Sequence, residues 1–397
     1  MSARLLLFTG KGGVGKTTLA AATSAALAAG GRKALVVSTD PAHSLGDAFG
    51  AALGAAVTEV DAGLHAAQVD PRALVDRSWR ELRGHLRTVL AGAGVDELAA
   101  EELTVLPGVE ELLALAEVQR LARTGPWDVV VVDCGPTAET LRLLALPEAV
   151  AGYLERLFPT HRRVVRGLLA GLAGPGSSAE RWDATADALG RLAEDLGRLR
   201  ELLTSPDTAV RLVLTPERVV AAETRRTVAA LALLGVRVDG VVANRLVPDP
   251  GADPGPAARW LRTRRAEQEA VLASLADLGP VRTVEHLAGE PVGLAALLDV
   301  AERLYAGADP LAGGAPGGPL LEVEPVGDEY RLRLALRVGD SDLDLARVGD
   351  DLAVTVDGRR RLIALPSLLR RCAVVGAELD DTGLAVRFRP DPDLWMR

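Results

Sequence analysis

Nine consecutive residues near the start of the chain, Gly10-Lys11-Gly12-Gly13-Val14-Gly15-Lys16-Thr17-Thr18, have the types and spacing that hold phosphate. Closely spaced glycines let backbone N–H groups converge on an anion, Lys16 can reach the outer phosphate oxygens, and the Thr17 hydroxyl can ligate Mg²⁺. Leu5–Phe8 before the loop has the length and apolarity of a buried strand, and the alanine-rich stretch after it favours a helix. Strand, glycine-rich loop and helix in that order predict that Gly10 through Thr18 bind a nucleoside triphosphate together with Mg²⁺.

Lys11 departs from a plain loop of this kind, because a second lysine at its start cannot easily share its own chain's phosphates with Lys16. The sequence has 45 basic residues, yet Lys11, Lys16 and Lys33 are its only lysines. Two carboxylates complete the set. Asp40 follows the apolar run Ala34–Ser38, where a side chain beside the loop can orient an attacking water and stand near the metal. Asp133 follows Val129–Val132, placed to hold Mg²⁺ through water. Either aspartate could instead cap the helix after it. His43 has no neighbouring histidine or cysteine, so loop hydrogen bonding suits it better than metal ligation.

Positioning these groups takes a sheet. Leu5–Phe8, Ala34–Ser38, Val129–Val132, Val210–Leu214 and Val238–Val242 are short apolar runs separated by helix-period segments, which predicts an α/β fold around a parallel sheet buried on both faces. Residues 70–125 and 150–205 are long for simple crossovers. Trp79, Leu82, Leu86 and Val89 recur at helical spacing, as do Leu189, Leu192, Leu196, Leu199 and Leu203, so these stretches read as a helical subdomain. The first unit spans residues 1–305, and a Gly/Pro-rich linker follows over 306–319. Beyond it the apolar period changes from helical to alternating. Tyr330, Leu332, Leu334, Leu336 and Val338 alternate with mostly basic residues, and Asp357-Gly358 between two apolar runs predicts a hairpin. Gly383–Phe388 reads as a closing strand, so residues 320–397 form a small all-β sandwich.

Composition narrows the partners. A net charge of −9 argues against a nucleic-acid binder, and two cysteines, Cys134 and Cys372, cannot make a disulfide framework or a multi-cysteine metal site on one chain. Nothing in the sequence has membrane-spanning length, and a cytoplasmic location is expected.

Together these residues resemble the arsenical-pump (ArsA-type) family of deviant Walker-A P-loop ATPases, which includes the guided-entry ATPase that delivers tail-anchored membrane proteins. The segments that carry the likeness are Thr39-Asp40-Pro41-Ala42-His43-Ser44-Leu45, and Pro136-Thr137 with Thr140-Leu141-Arg142-Leu143-Leu144. It extends to Leu106–Glu111, to Thr215-Pro216-Glu217 with Glu223-Thr224-Arg225, and to Asn244 after the strand ending at Val242. By this resemblance Lys11 reaches across a nucleotide-dependent homodimer to the partner's phosphates. It also implies that Asn244 reads the adenine and that the loop near Leu287–Val292 covers the base. Asp350–Val356 and Arg361–Pro366 are similar to the α-crystallin, or small heat-shock, fold.

The departures matter as well. The stretch Pro248 to Trp260 lacks the Cys-x-x-Cys pair of the guided-entry relatives, which excludes a zinc-clasped dimer. The cysteines that sense arsenite in the pump ATPase are missing too, and only one ATPase half is present. The expectation is a Mg²⁺-dependent ATPase with Lys11, Lys16 and Asp40 in catalysis and Thr17, Asp40 and Asp133 around the metal. It would work as a dimeric switch that handles hydrophobic client proteins. A partition or septum-placement ATPase is the competing reading, and an electron-transfer role lacks the paired cysteines it would need.

Overall fold

All five apolar runs become strands of one sheet in the computed structural model, which describes residues 3–40, 44–70, 109–135, 194, 197–312, 321–334, 343–356, 358–380 and 383–392. In chain order the elements of the first unit are β1 (Arg4–Gly10), α1 (Lys16–Ala29), β2 (Ala34–Ser38), α2 (Ser44–Phe49), β3 (Thr58–Asp61), β4 (Leu64–Gln68), α3 (Val109–Thr124), β5 (Val129–Asp133), β6 (Thr208–Leu214), α4 (Arg218–Leu233), β7 (Val238–Leu246), α5 (Pro256–Ser274), β8 (Val281–Glu285) and α6 (Leu294–Tyr305). The eight strands run in the order β3-β4-β2-β5-β1-β6-β7-β8. All neighbours are parallel except the edge pair β3–β4.

The sheet is buried on both faces, which is why its central strands read as continuous apolar runs rather than alternating ones. One face packs α1, α2 and α6, and the other packs α3, α4 and α5. Small residues let α1 approach closely: Ala20, Ala21, Ala22 and Ala25 are all buried against the sheet or α6. The described ends of the expected helical subdomain are themselves sheet core. Ala114, Leu115, Val118 and Leu121 of α3, with Leu199 and Leu203, belong to the same buried cluster as β1 and β5. Residues 71–108 and 136–193, including Trp79, Leu82, Leu86, Val89, Leu189 and Leu192, lie outside the described residues.

One boundary differs from expectation. Strand β7 continues to Leu246, so Asn244 sits inside it rather than after it. The opening of the expected linker is also fastened to the α/β unit. Arg32 forms a two-pronged pair with Asp309 at 2.6 Å, and Arg211 donates to the Pro310 carbonyl at 3.0 Å.

The C-terminal strands are β9 (Leu321–Val326), β10 (Glu329–Leu334), β11 (Leu343–Val348), β12 (Asp351–Val356), β13 (Arg359–Ala364), β14 (Cys372–Asp380) and β15 (Gly383–Pro390), with the short helix α7 (Ser367–Arg370) before β14. They form a sheet in the order β14-β15-β10-β9 and another in the order β11-β12-β13, both antiparallel. Val356 pairs with Arg359 on either side of the Asp-Gly signal, and Gly358 takes a φ of 75°, while Asp357 lies outside the described residues. Leu332, Leu334, Leu352, Val354, Val386 and Phe388 fill the space between the sheets. Ala229 and Leu233 of α4 belong to that same core, so the sandwich is packed onto the first unit.

Candidate active site

Parallel register brings the catalytic elements level. Asp133 at the end of β5 is paired with Phe8 of β1 on one side and Ser38 of β2 on the other. The residues just beyond that row are the start of the phosphate loop, Asp40 and Cys134, so three strand ends converge at one edge of the sheet. Gly10 must be glycine here, because a Cβ would lie 2.1 Å from the Val213 carbonyl of β6. Gly13 and Gly15 take φ values of 79° and 92°, a left-handed conformation that turns successive N–H groups into an anion-binding concavity. Helix α1 then starts at Lys16 with no side chain capping its first N–H groups, which suits a phosphate in that place.

Lys16 is buried and donates to the Lys11 carbonyl at 3.3 Å. Lys11 itself is exposed, with Gly12 and Gly13 beside it. Thr17 Oγ1 donates to Asp133 Oδ2 at 2.8 Å and lies 3.0 Å from Ser44 Oγ, while Ser38 Oγ donates to the same carboxylate oxygen at 2.9 Å. Asp133 Oδ1 is buried with no hydrogen-bond partner in the described structure. An orphaned carboxylate oxygen beside a threonine hydroxyl is a hard-oxygen set that fits Mg²⁺. Thr17 and Asp133 would hold the ion, and the ion would neutralise charge on the phosphates. Asp40 is half-buried, its N–H donates to Ser38 Oγ at 3.3 Å, and its charge is felt by Asp133. That is the position from which a carboxylate can orient water. Pro41, Ala42 and His43 lie outside the described residues, as does the expected second switch beyond Gly135.

Burial pushes the Asp133 carboxyl up to about 6, with Asp40 adding to the rise and Thr17, Ser38 and Lys16 opposing it. The ordinary value is 3.8, so between these two pH values the folded, metal-free protein keeps a proton that the unfolded chain has released. Stability from that bound proton is complete below a pH of about 4 and is lost as pH rises through about 6. At about 1.4 kcal/mol per pKa unit the loss is on the order of 3 kcal/mol. Urea denaturation in chelator should show the wild type losing stability across this window relative to Asp133→Asn, whose amide does not titrate. Parallel pH profiles for the two proteins would show that the carboxyl is not held protonated. Cys134 next door is pushed up to about 12, first by burial and then by Asp133, which keeps it a neutral thiol.

Beside the loop opens a cavity of about 360 Å³, lined by Gly15, Thr18, Asn244, Arg245 and the loop from His286 to Pro291. Its size and its place next to the phosphate loop suit a nucleobase. Gly10 through Thr18 and Asn244 are therefore brought to one edge, with Asp40 and Asp133 beside them. Ser38, Ser44, Arg245 and His286 also belong to this neighbourhood and were not anticipated. Ser38 could have been found from its place in the Ser-Thr-Asp run at a strand end. Arg245 and His286 become visible only once β7 and β8 lie side by side.

Comparison with known proteins bears on this geometry. Residues 3–306 match the ArsA ATPase family, described as anion-transporting ATPases, and residues 327–388 match the HSP20-like domain found in ArsA. Protein Rv2184c of Mycobacterium tuberculosis is 43% identical over 422 residues, covering 99% of this chain and 97% of that protein. An uncharacterized protein of Streptomyces coelicolor is 37% identical over 406 residues, covering 99% of both chains. A protein of Chlorobaculum tepidum named as an arsenical pump-driving ATPase is 33% identical over 390 residues, covering 97% of this chain and 96% of its own length. With its phosphate loop, Thr17–Asp133 pair and two-domain match, the chain belongs to the ArsA ATPase family and is an ATP-hydrolysing enzyme with an HSP20-like domain behind its ATPase unit.

Proposed function

We propose that this ATPase works as a nucleotide-driven homodimer that binds and releases hydrophobic client segments, with Lys11 of each subunit serving the nucleotide of the other. One observation carries the dimer. Among the described residues of the ATPase unit, the exposed large apolar side chains are Val219, Trp260 and Val292, at 72%, 64% and 50% exposure. All three come after β6, β7 and β8 in sequence, and the carboxyl ends of these strands lie on the same edge of the parallel sheet as that of β1, from which the phosphate loop and the exposed Lys11 follow. Exposed apolar side chains and an exposed cation on segments that leave one edge of the sheet suit a second copy closing face to face. The client part rests on the guided-entry resemblance and on the apolar helical spacing in residues 70–125 and 150–205.

A pump-driving role is what some relatives are named for. Metalloid recognition by soft thiolates is poorly served here, because the two cysteines lie in different domains and both are buried. Among the described residues no helix is long and apolar enough to cross a membrane.

Asp40→Asn serves as the trap, since loss of a water-orienting carboxylate is expected to slow turnover by about 10²-fold while leaving Mg-ATP binding intact. Held with Mg-ATP, this variant should elute as a dimer and should enrich proteins bearing an exposed apolar helix from its native lysate, relative to a Lys16→Ala control. A monomeric elution would defeat the dimer, and recovery of its own partner subunit alone would defeat client handling.

A further inference from the structure

Thr17, in the first turn of α1, points its hydroxyl away from its own helix. Thr23, Thr124, Thr224, Thr227 and Thr263 each donate to the carbonyl four residues earlier, at 2.6 to 3.1 Å. That bond back along the helix is the easy choice for a helical threonine, whose χ1 divides between two rotamers. Thr17 instead gives its proton to Asp133 Oδ2 at 2.8 Å, and Ser44 Oγ lies 3.0 Å from the same Thr17 oxygen. A hydroxyl has one proton and two lone pairs, and a carboxylate only accepts, so the donors can be assigned. With the Thr17 proton committed to Asp133, the contact with Ser44 must take the Ser44 proton. One lone pair of Thr17 Oγ1 is then left for a metal ion.

Ser44 donates from a firm mount. It opens α2, whose Leu45, Ala48 and Phe49 are buried in the core shared with α1 and α6, and the Ala48 carbonyl accepts the Gly293 N–H at 2.9 Å. Gly46, two residues on, packs so closely that a Cβ there would lie 2.9 Å from the Ala51 carbonyl. We propose that Ser44 is a positioning residue for the divalent cation, acting through Thr17: it holds the threonine in the rotamer that faces Asp133 and so raises the affinity for Mg²⁺. The proposal rests on the assignment of this loop to a Mg-nucleotide and deepens it. The single bond to Asp133 competes with the bond back along the helix, and a second bond that only the Asp133-facing rotamer accepts tips the choice. The fraction of molecules with the hydroxyl already in place scales the apparent affinity for the ion.

The test reads binding without turnover. Affinity for N-methylanthraniloyl-ADP is measured by fluorescence in Mg²⁺ and in chelator, and the ratio of the two is the coupling between ion and nucleotide. Ser44→Ala should bind in chelator within about twofold of the wild type while its coupling ratio falls about three- to tenfold, the size of one hydrogen bond. Ser44→Thr keeps the proton and should restore the ratio. Ser44→Cys donates poorly and should behave as Ser44→Ala, and it carries the comparison should the alanine variant not fold. An unchanged ratio in Ser44→Ala would overturn the proposal, and so would a raised one, which would show Ser44 competing with the ion for Thr17. Equal losses with and without Mg²⁺ would make Ser44 a structural anchor of α2 and overturn it as well. Failure of the Mg-nucleotide assignment would look different, because the wild type itself would then bind no nucleotide, or bind it equally well in Mg²⁺ and in chelator.

Discussion

Mixing two inactive variants, Lys11→Ala and Asp40→Asn, should restore hydrolysis. Alone, Lys11→Ala is expected to bind Mg-ATP within a few-fold of the wild type and to lose about 10³-fold in turnover, the scale of a catalytic cation supplied from a neighbouring subunit. In the mixed dimer, the site on the Lys11→Ala subunit keeps its own Asp40 and receives an intact Lys11 from the other chain. The opposite site lacks both. Random pairing in equal amounts then gives about a quarter of wild-type turnover. If Lys11 acted on its own subunit's nucleotide, every site in the mixture would lack one group and no activity would return. The structure is compatible with this delivery because Lys11 is exposed and its backbone carbonyl accepts from Lys16.

Much of this site was legible because its information is local. The order of glycines and lysines from Gly10 to Lys16 fixes a strand–loop–helix geometry within about a dozen residues. The runs at Leu35–Val37 and Val129–Val132 announce strands buried on both faces, and an aspartate at the end of such a run is conspicuous. Other elements were silent for physical reasons. Leu64-His65-Ala66-Ala67-Gln68 has little β propensity and is a strand because β2 pairs along it. Val281–Glu285 interleaves arginine, threonine and glutamate as an edge strand can. Pro325 within β9 looks like a strand breaker, yet an edge position needs no inward N–H there. The Asn244 contact with Val14 spans 230 residues of sequence, and no spacing rule reaches that far. The second apolar face of α4, Ala229 and Leu233, likewise has meaning only once the β-sandwich lies on it.

Arg211 is the least legible residue of all, a lone cation in an apolar strand, and its replacement should be the most damaging to the fold. Its side chain is 0% exposed on β6. Nε and Nη2 donate to the two Asp239 oxygens at 3.1 and 2.6 Å, Nη1 donates to the Tyr305 hydroxyl at 2.7 Å, and Nη2 also reaches the Pro310 carbonyl. Thr23 Oγ1 donates to the Leu19 carbonyl, so the Tyr305 hydroxyl, 2.6 Å away, is left to donate to Thr23. The chain of bonds thus runs from helix α1, which carries Lys16 and Thr17, to the segment that leaves the ATPase unit. Burial works against the Arg211 charge, and Tyr305 and Asp239 more than offset it. Arg211→Leu strands the Asp239 carboxylate and should cost about 3–5 kcal/mol, read as a fall in the urea midpoint. The Arg211→Met, Asp239→Leu double variant should recover most of that, because a buried pair can be replaced by packed apolar groups once neither charge is left alone. Arg32→Ala removes a partner of Asp309 in the same segment, but that pair is exposed at 36% and 41%, so about 0–1 kcal/mol is expected. Equal losses from Arg32→Ala and Arg211→Leu would show that the segment is held by its backbone path, and a double variant no better than the single would locate the cost in lost packing of the guanidinium between Phe8 and Tyr305.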